Sequence, residues 1–157
     1  MTKGLIWFRA DLRLDDNPAI NAALSKCEEL LAIYIFSHSQ WEIHNESNIK
    51  HEFLINNLIL LKESLENFGI SLIAINTESY KTLPKDLCSI AVEQKIDHVF
   101  WNNEFGFNET VRDQNSIEFL KKNNIRSSSF HDQVIYPPGF LKTGQGNPFS
   151  VFTPYKR

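Results

Sequence analysis

"GLIWFRADLRLDDNPAI", residues Gly4 to Ile20, passes from one kind of structure to another within a single stretch. Leu5, Ile6, Trp7 and Phe8 form a short, wholly apolar run of the kind a buried strand needs. Asp16-Asn17-Pro18 then supplies a side-chain cap and a proline suited to the first helical turn, which predicts a helix from Pro18 to Lys26. Between the two, Arg9, Asp11, Arg13, Asp15 and Asp16 crowd the mouth of the strand. No glycine occurs from Arg9 to Asp16, which excludes a glycine-rich dinucleotide loop after this strand. The alternating signs fit a strand-to-helix turn tied by local ion pairs, with Asp16 and Asn17 as caps. That reading is preferred to an active site, because structural ion pairs need no chemistry to explain them.

The same strand-then-helix unit recurs along the chain. Leu30–Phe36 has no polar alternation, as suits a strand covered on both faces. A polar loop follows. Phe53, Leu54, Leu58, Leu61, Leu65 and Phe68 then fall at helical spacing, with Gly69 as the stop. Ser71–Ile75 reads as the third strand, Leu83–Lys95 as the third helix opened by Pro84, and Asp97–Asn102 as the fourth strand. Asn108–Asn124 reads as the fourth helix, with Lys121 and Lys122 opposing its macrodipole, and Arg126–His131 as a weaker fifth strand. Right-handed crossovers fold this order into an α/β, Rossmann-like, doubly wound five-stranded parallel sheet with helices on both faces. Ligands of such sheets lie beyond the carboxyl ends of the strands, here the loops after Phe8, Phe36 and Asn102.

Length and composition set outer limits. The 157 residues suffice for one core, and 42% hydrophobic with 22% charged residues is ordinary globular composition. A net charge of −3 and a pI near 5.9 argue against a domain that grips nucleic acid alone. Cys27 and Cys88 fall in segments read as helical, lack metal-ligand or Cys-x-x-Cys spacing, and read as reduced packing residues. No apolar stretch approaches the roughly 20 residues of a membrane span, and no signal-peptide core precedes the first charges, so a soluble cytoplasmic protein is expected. Val134 to Arg157 differs in kind: it is rich in proline and glycine and ends at "TPYKR", as a connection to further structure would.

Two further segments could carry chemistry. "SQWEIHNES", Ser39 to Ser47, sets Trp41 and His44 in the loop after the second strand; blandly read, these are a loop anchor and an exposed histidine. "WNNEFGFNETVRD", Trp101 to Asp113, places Asn108 as a natural N-cap and Glu109 in the first helical turn, a full structural explanation. A carboxylate aimed outward there could also accept two parallel N–H bonds from a guanidine-like edge, such as the amino-pyrimidinone end of a pterin. No nucleophile with its base, zinc site or phosphate cradle is present in the sequence.

Taken together and in order, "WFRADLRLDDNPAI", "QWEIHN", "NETVRD" and "VIYPPG…TGQGNPFSVFTP" resemble the signatures of the DNA photolyase and cryptochrome family, from Leu5 to Lys156. They resemble most the folate-carrying bacterial photolyases that act on cyclobutane pyrimidine dimers. The resemblance implies an antenna domain over residues 1–133, a linker beginning at 134–157, and a helical domain, absent from this chain, that holds FAD and UV-damaged DNA. It implies 5,10-methenyltetrahydrofolate as antenna, with His44, Asn108 and Glu109 as its binding residues; a deazaflavin deeper in the cleft stays open. It assigns this piece no catalytic residue, no metal and no obligate oligomer. Family members close over the folate with helical-domain residues, so weak folate binding by this chain alone is expected. A cryptochrome photoreceptor and, from another class, a nucleotide-binding module of the universal-stress-protein type are the competing readings.

Overall fold

The computed structural model describes residues 1–156. Its strands are β1 (Lys3–Phe8), β2 (Glu29–Ser37), β3 (Ser71–Thr77), β4 (His98–Asn102) and β5 (Arg126–Phe130). Its helices are α1 (Pro18–Lys26), α2 (His38–Ile43), α3 (Asn48–Glu66), α4 (Leu83–Glu93), α5 (Phe107–Lys122) and α6 (Phe152–Lys156). All strand pairings are parallel and the order is β3-β2-β1-β4-β5, so the winding reverses between β1 and β4. The expected five-stranded doubly wound sheet is therefore the fold.

Strand periodicity divides the core in two. Leu5, Trp7, Ile33, Ile35, Val99 and Trp101 point to one face and meet Leu83, Leu87 and Ala91 of α4 and Leu120 of α5. Ile6, Phe8, Ala32, Tyr34 and Phe100 point to the other and meet Ala19, Ile20 and Ala23 of α1 and Leu58, Leu61 and Leu65 of α3. Central strands covered on both faces explain the missing polar alternation in β2.

Local sequence explains the element ends. Asn17 caps α1, its Oδ1 accepting the Ile20 N–H at 3.2 Å, and Pro18 opens the helix. Asp16 makes no such cap; it takes the left-handed turn before it, at φ 49°. Gly69, at φ 72°, reverses the chain after α3 while the Ile70 N–H reaches back to the Leu65 carbonyl. Gly4 is small for a different reason: a Cβ there would lie 2.8 Å from Cys27 Sγ. Cys27 is the extended residue after α1 rather than a helical one, whereas Cys88 lies within α4; both are free thiols.

Three more sequence expectations change. The segment after β2 is not all loop, because His38–Ile43 forms α2. Phe53 on α3 and Phe68 just after it are 69% and 73% exposed, since the helix lies over the sheet only along its Leu58, Leu61 and Leu65 stripe. The N-cap of α5 is Gly106, two residues earlier than expected, and Asn108 is an exposed residue inside the first turn.

At the opposite end of the sheet from the cleft, His98 stacks on Phe100 with centroids 4.0 Å apart, and its Nε2 bonds to Ser128 Oγ at 2.9 Å. Burial, then the charges of Arg126 and Lys26, lower its pKa from 6.5 to about 4. The unfolded chain thus takes up this proton first, so the contribution of His98 is complete above pH 6.5 and is lost as pH falls toward 4. A loss of roughly 2 kcal/mol is expected over that window, after allowance for solvent screening. His98→Gln should flatten that part of the stability profile in urea unfolding; an unchanged slope would contradict the assignment.

Candidate functional site

Where the winding reverses, the chain segments leaving β1 to β4 surround a cleft of about 800 Å³, counted out to its open mouth. Trp7, Phe8, Arg9 and Tyr34 form its inner part. Gln40, Trp41 and His44 of the α2 segment make one wall, and Tyr80 and Leu83 border it after β3. Glu104, Glu109 and Arg112, from the end of β4 and the start of α5, make the facing wall.

The inner wall is held by a buried charge network. The Arg9 Nη1 donates to both carboxylate oxygens of Asp113 at 2.7 Å. Asp113 also accepts from Arg112 Nε at 2.9 Å and Nη2 at 2.7 Å, while Arg112 Nη2 reaches Glu104 at 2.9 Å. Each guanidinium carbon lies 4.9 Å from the centre of the Trp7 ring, and that of Arg112 lies 4.9 Å from Tyr80 as well. Burial disfavours the Arg112 charge, but Asp113 and Glu104 outweigh it and hold its pKa above the ordinary value. Burial is likewise the main cause that raises the pKa of Tyr34 and Tyr80, so both phenols stay protonated and neutral.

The charged turn after β1 belongs to this framework, as the structural reading of its sequence expected, but the ion-pair partners of its arginines are remote rather than local. Arg9 is only 6% exposed and pairs 104 residues along the chain, so its charge is held by a partner within this domain. Arg13 pairs with Asp132, at 2.5 Å. Asp11 accepts from the Arg9 N–H at 2.9 Å and from Asn102 Nδ2 at 2.6 Å. Asn102 also donates to Asn17 Oδ1 and accepts the Ala19 N–H, which ties the end of β4 to the start of α1.

Two of the three residues singled out from sequence meet at the cleft. His44 ends α2, exposed, with its N–H on the Gln40 carbonyl at 3.0 Å. Glu109 sits half-buried in the first turn of α5, on the opposite wall. Asn108 is exposed and does not line the cleft. Trp41 is stacked on His51 at 3.9 Å, which fixes α2 against α3. Tyr80, Glu104 and Arg112 were not singled out beforehand. Arg112 stands inside the quoted "NETVRD", but its position three residues after Glu109 on a helix is the only sequence signal that it shares a wall with it.

The cleft offers carboxylates, a buried cation and aromatic plates, a donor set suited to a flat, hydrogen-bonding heteroaromatic ligand. Among the described residues no cluster of three His, Cys, Asp or Glu side chains could hold a metal, and no helix is long and apolar enough to cross a membrane. Fold and site together define a doubly wound α/β domain with a ligand cleft at its switch point.

The DNA photolyase family model matches residues 4–157, and the chain belongs to that family. It is 35% identical over 157 residues to the deoxyribodipyrimidine photo-lyase of Escherichia coli K12, covering 99% of this chain and 33% of that protein. It is 28% identical over 152 residues to Cryptochrome-1 of Arabidopsis thaliana, covering 96% of this chain and 22% of that one. Among solved structures, a bacterial class III photolyase from Agrobacterium tumefaciens superimposes with a TM-score of 0.77 at 26% identity, covering 98% of this chain and 30% of that chain. An archaeal photolyase from Sulfolobus tokodaii, solved with two FAD molecules, gives a TM-score of 0.74 at 24% identity over 90% of this chain and 32% of that chain, which supports the fold. The chain spans about a third of the length of these curated bacterial relatives. Family membership replaces the universal-stress-protein alternative.

Proposed function

We propose that this chain is the antenna-binding part of a deoxyribodipyrimidine photolyase and that its cleft takes 5,10-methenyltetrahydrofolate. The observation that carries the reading is the half-buried Glu109 carboxylate on one wall, facing the α2 wall that carries Trp41 and His44. Glu109 would accept two N–H bonds from the amino-pyrimidinone edge of the pterin. Trp41 and His44 would border the ring, and Asn108 would help orient it from outside the cleft. The bound folate supplies absorption in the near ultraviolet and blue; the residues of this chain bind and orient it on a stiff sheet.

In the whole protein, residues 1–133 form the antenna domain, 134–157 begin a linker, and a helical domain contributes FAD, contact with UV-damaged DNA and the dimer-splitting step. Residues 134–156 support that division, since this stretch follows the sheet and leaves Ile135, Phe140 and Phe152 largely exposed. Cytoplasmic location is part of the proposal. A cryptochrome role is the second reading, favoured by the similarity to the Arabidopsis protein; light-dependent dimer repair by the whole protein separates the two.

Titration with 5,10-methenyltetrahydrofolate, followed by its absorbance, tests the site. Weak, saturable binding is expected, because a ligand left partly open to water gains less burial. Glu109→Ala should weaken it roughly tenfold or more, through loss of charge-assisted hydrogen bonds. Nanomolar retention by this chain would refute the half-open site. Equal affinity for Glu109→Ala would refute the role of Glu109, and preferential binding of ATP would refute the ligand class.

A further inference from the structure

We propose that Gly106 is a positioning residue for Glu109: the bare α-carbon at the head of α5 is what allows the Glu109 carboxylate to stand where it borders the cleft. This rests on Glu109 being the pterin-edge acceptor and adds the residue that sets its geometry.

The backbone at Gly106 does not require glycine. Its φ of −63° and ψ of 150° are ordinary extended values open to any residue. Nor is glycine the best cap, because Ser, Thr, Asp or Asn would bond the free N–H groups of the first turn, and no side chain caps α5. What is unusual is the space above it. A Cβ built on Gly106 would overlap Glu109 Oε2 and lie 2.9 Å from Glu109 Cδ. The carboxylate is therefore folded over the Cα of residue 106, three positions back, at the positive end of the helix. Any side chain at 106 expels it from that place. A better cap at 106 and the present position of Glu109 exclude each other.

That conflict makes stability and binding respond in opposite directions. Gly106→Ser supplies the missing cap, so the melting temperature should stay level or rise. The same change displaces the carboxylate, so affinity for 5,10-methenyltetrahydrofolate should fall roughly tenfold, approaching that of Glu109→Ala. In the Glu109→Ala background, Gly106→Ser should leave affinity unchanged, which closes the double-mutant cycle. A purely structural role for Gly106 would move stability without this coupling. Affinity of Gly106→Ser within twofold of the parent, or tighter than the parent, would overturn the proposal.

A readout without ligand separates this idea from the folate reading. The carbon-13 carboxyl resonance of Glu109 should shift in both Gly106→Ala and Gly106→Ser, because its surroundings change. If Glu109→Ala binds folate normally and the resonance still shifts, the folate role fails and the positional coupling stands. If the resonance does not shift, the coupling itself is wrong.

Discussion

Asp113→Ala is expected to lower stability by about 3 to 5 kcal/mol, the range for breaking one side of a buried ion pair. For a chain of this length that corresponds to a fall in melting temperature of roughly 10 °C. Arg9 is the reason. Its side chain is 5% exposed, its Nη1 bonds only to Asp113, and its Nε and Nη2 have no hydrogen-bond partner. Without Asp113 the nearest carboxylate is Glu104, 3.6 Å away, and the Trp7 face cannot compensate a buried charge. Arg112 suffers less, because it keeps its bond to Glu104. The double variant Arg9→Met/Asp113→Leu should therefore be more stable than Asp113→Ala alone, since it removes the stranded cation together with its partner. A melting temperature within 3 °C of the parent for Asp113→Ala would show that water reaches the network.

Asn102→Asp should have a comparable effect at neutral pH, by a different route. The native amide donates to Asp11 and Asn17 and accepts from Ala19, with Asn102 only 3% exposed. An isosteric carboxylate keeps the acceptor but places one charge against another at the distance of the present 2.6 Å bond. Loss of about 3 kcal/mol is expected, as buried donors are replaced by repulsion. The deficit should shrink in acid, where a proton shared by the two carboxylates restores a donor. Chemical unfolding of parent and variant at neutral and acid pH measures this, and a deficit independent of pH would contradict it. Because Asn102 ties β4 to the start of α1, folate affinity is expected to change less than stability.

The two networks show which information was local. The helix start at Asn17-Pro18, the stop at Gly69 and the paired lysines ending α5 depend on neighbours in the chain, and each appears where its residues predict. The opening charges are another matter. Their spacing suggested pairing among themselves, whereas Arg9 and Arg13 find Asp113 and Asp132, more than a hundred residues away. Sequence distance carries no trace of such a partner. The helix α2 was equally hard to read, since its six residues show no periodic apolar stripe and its Ser37 N-cap makes no capping bond.

By itself the sequence determined the class of fold, the glycine-free first turn and the loops around which a ligand should gather, because periodicity and capping are properties of consecutive residues. It also carried the family motifs that named His44, Asn108 and Glu109. Only the tertiary structure decided that Glu109 and His44 stand on facing walls, that Asn108 lies outside the cleft, and that Arg9 is buried beneath it. Those facts follow from how β1 and β4 lie side by side and from the packing of α5 against the sheet. Such relations between distant segments are fixed by packing, where a few ångströms decide whether two charges meet or a glycine leaves room for a carboxylate.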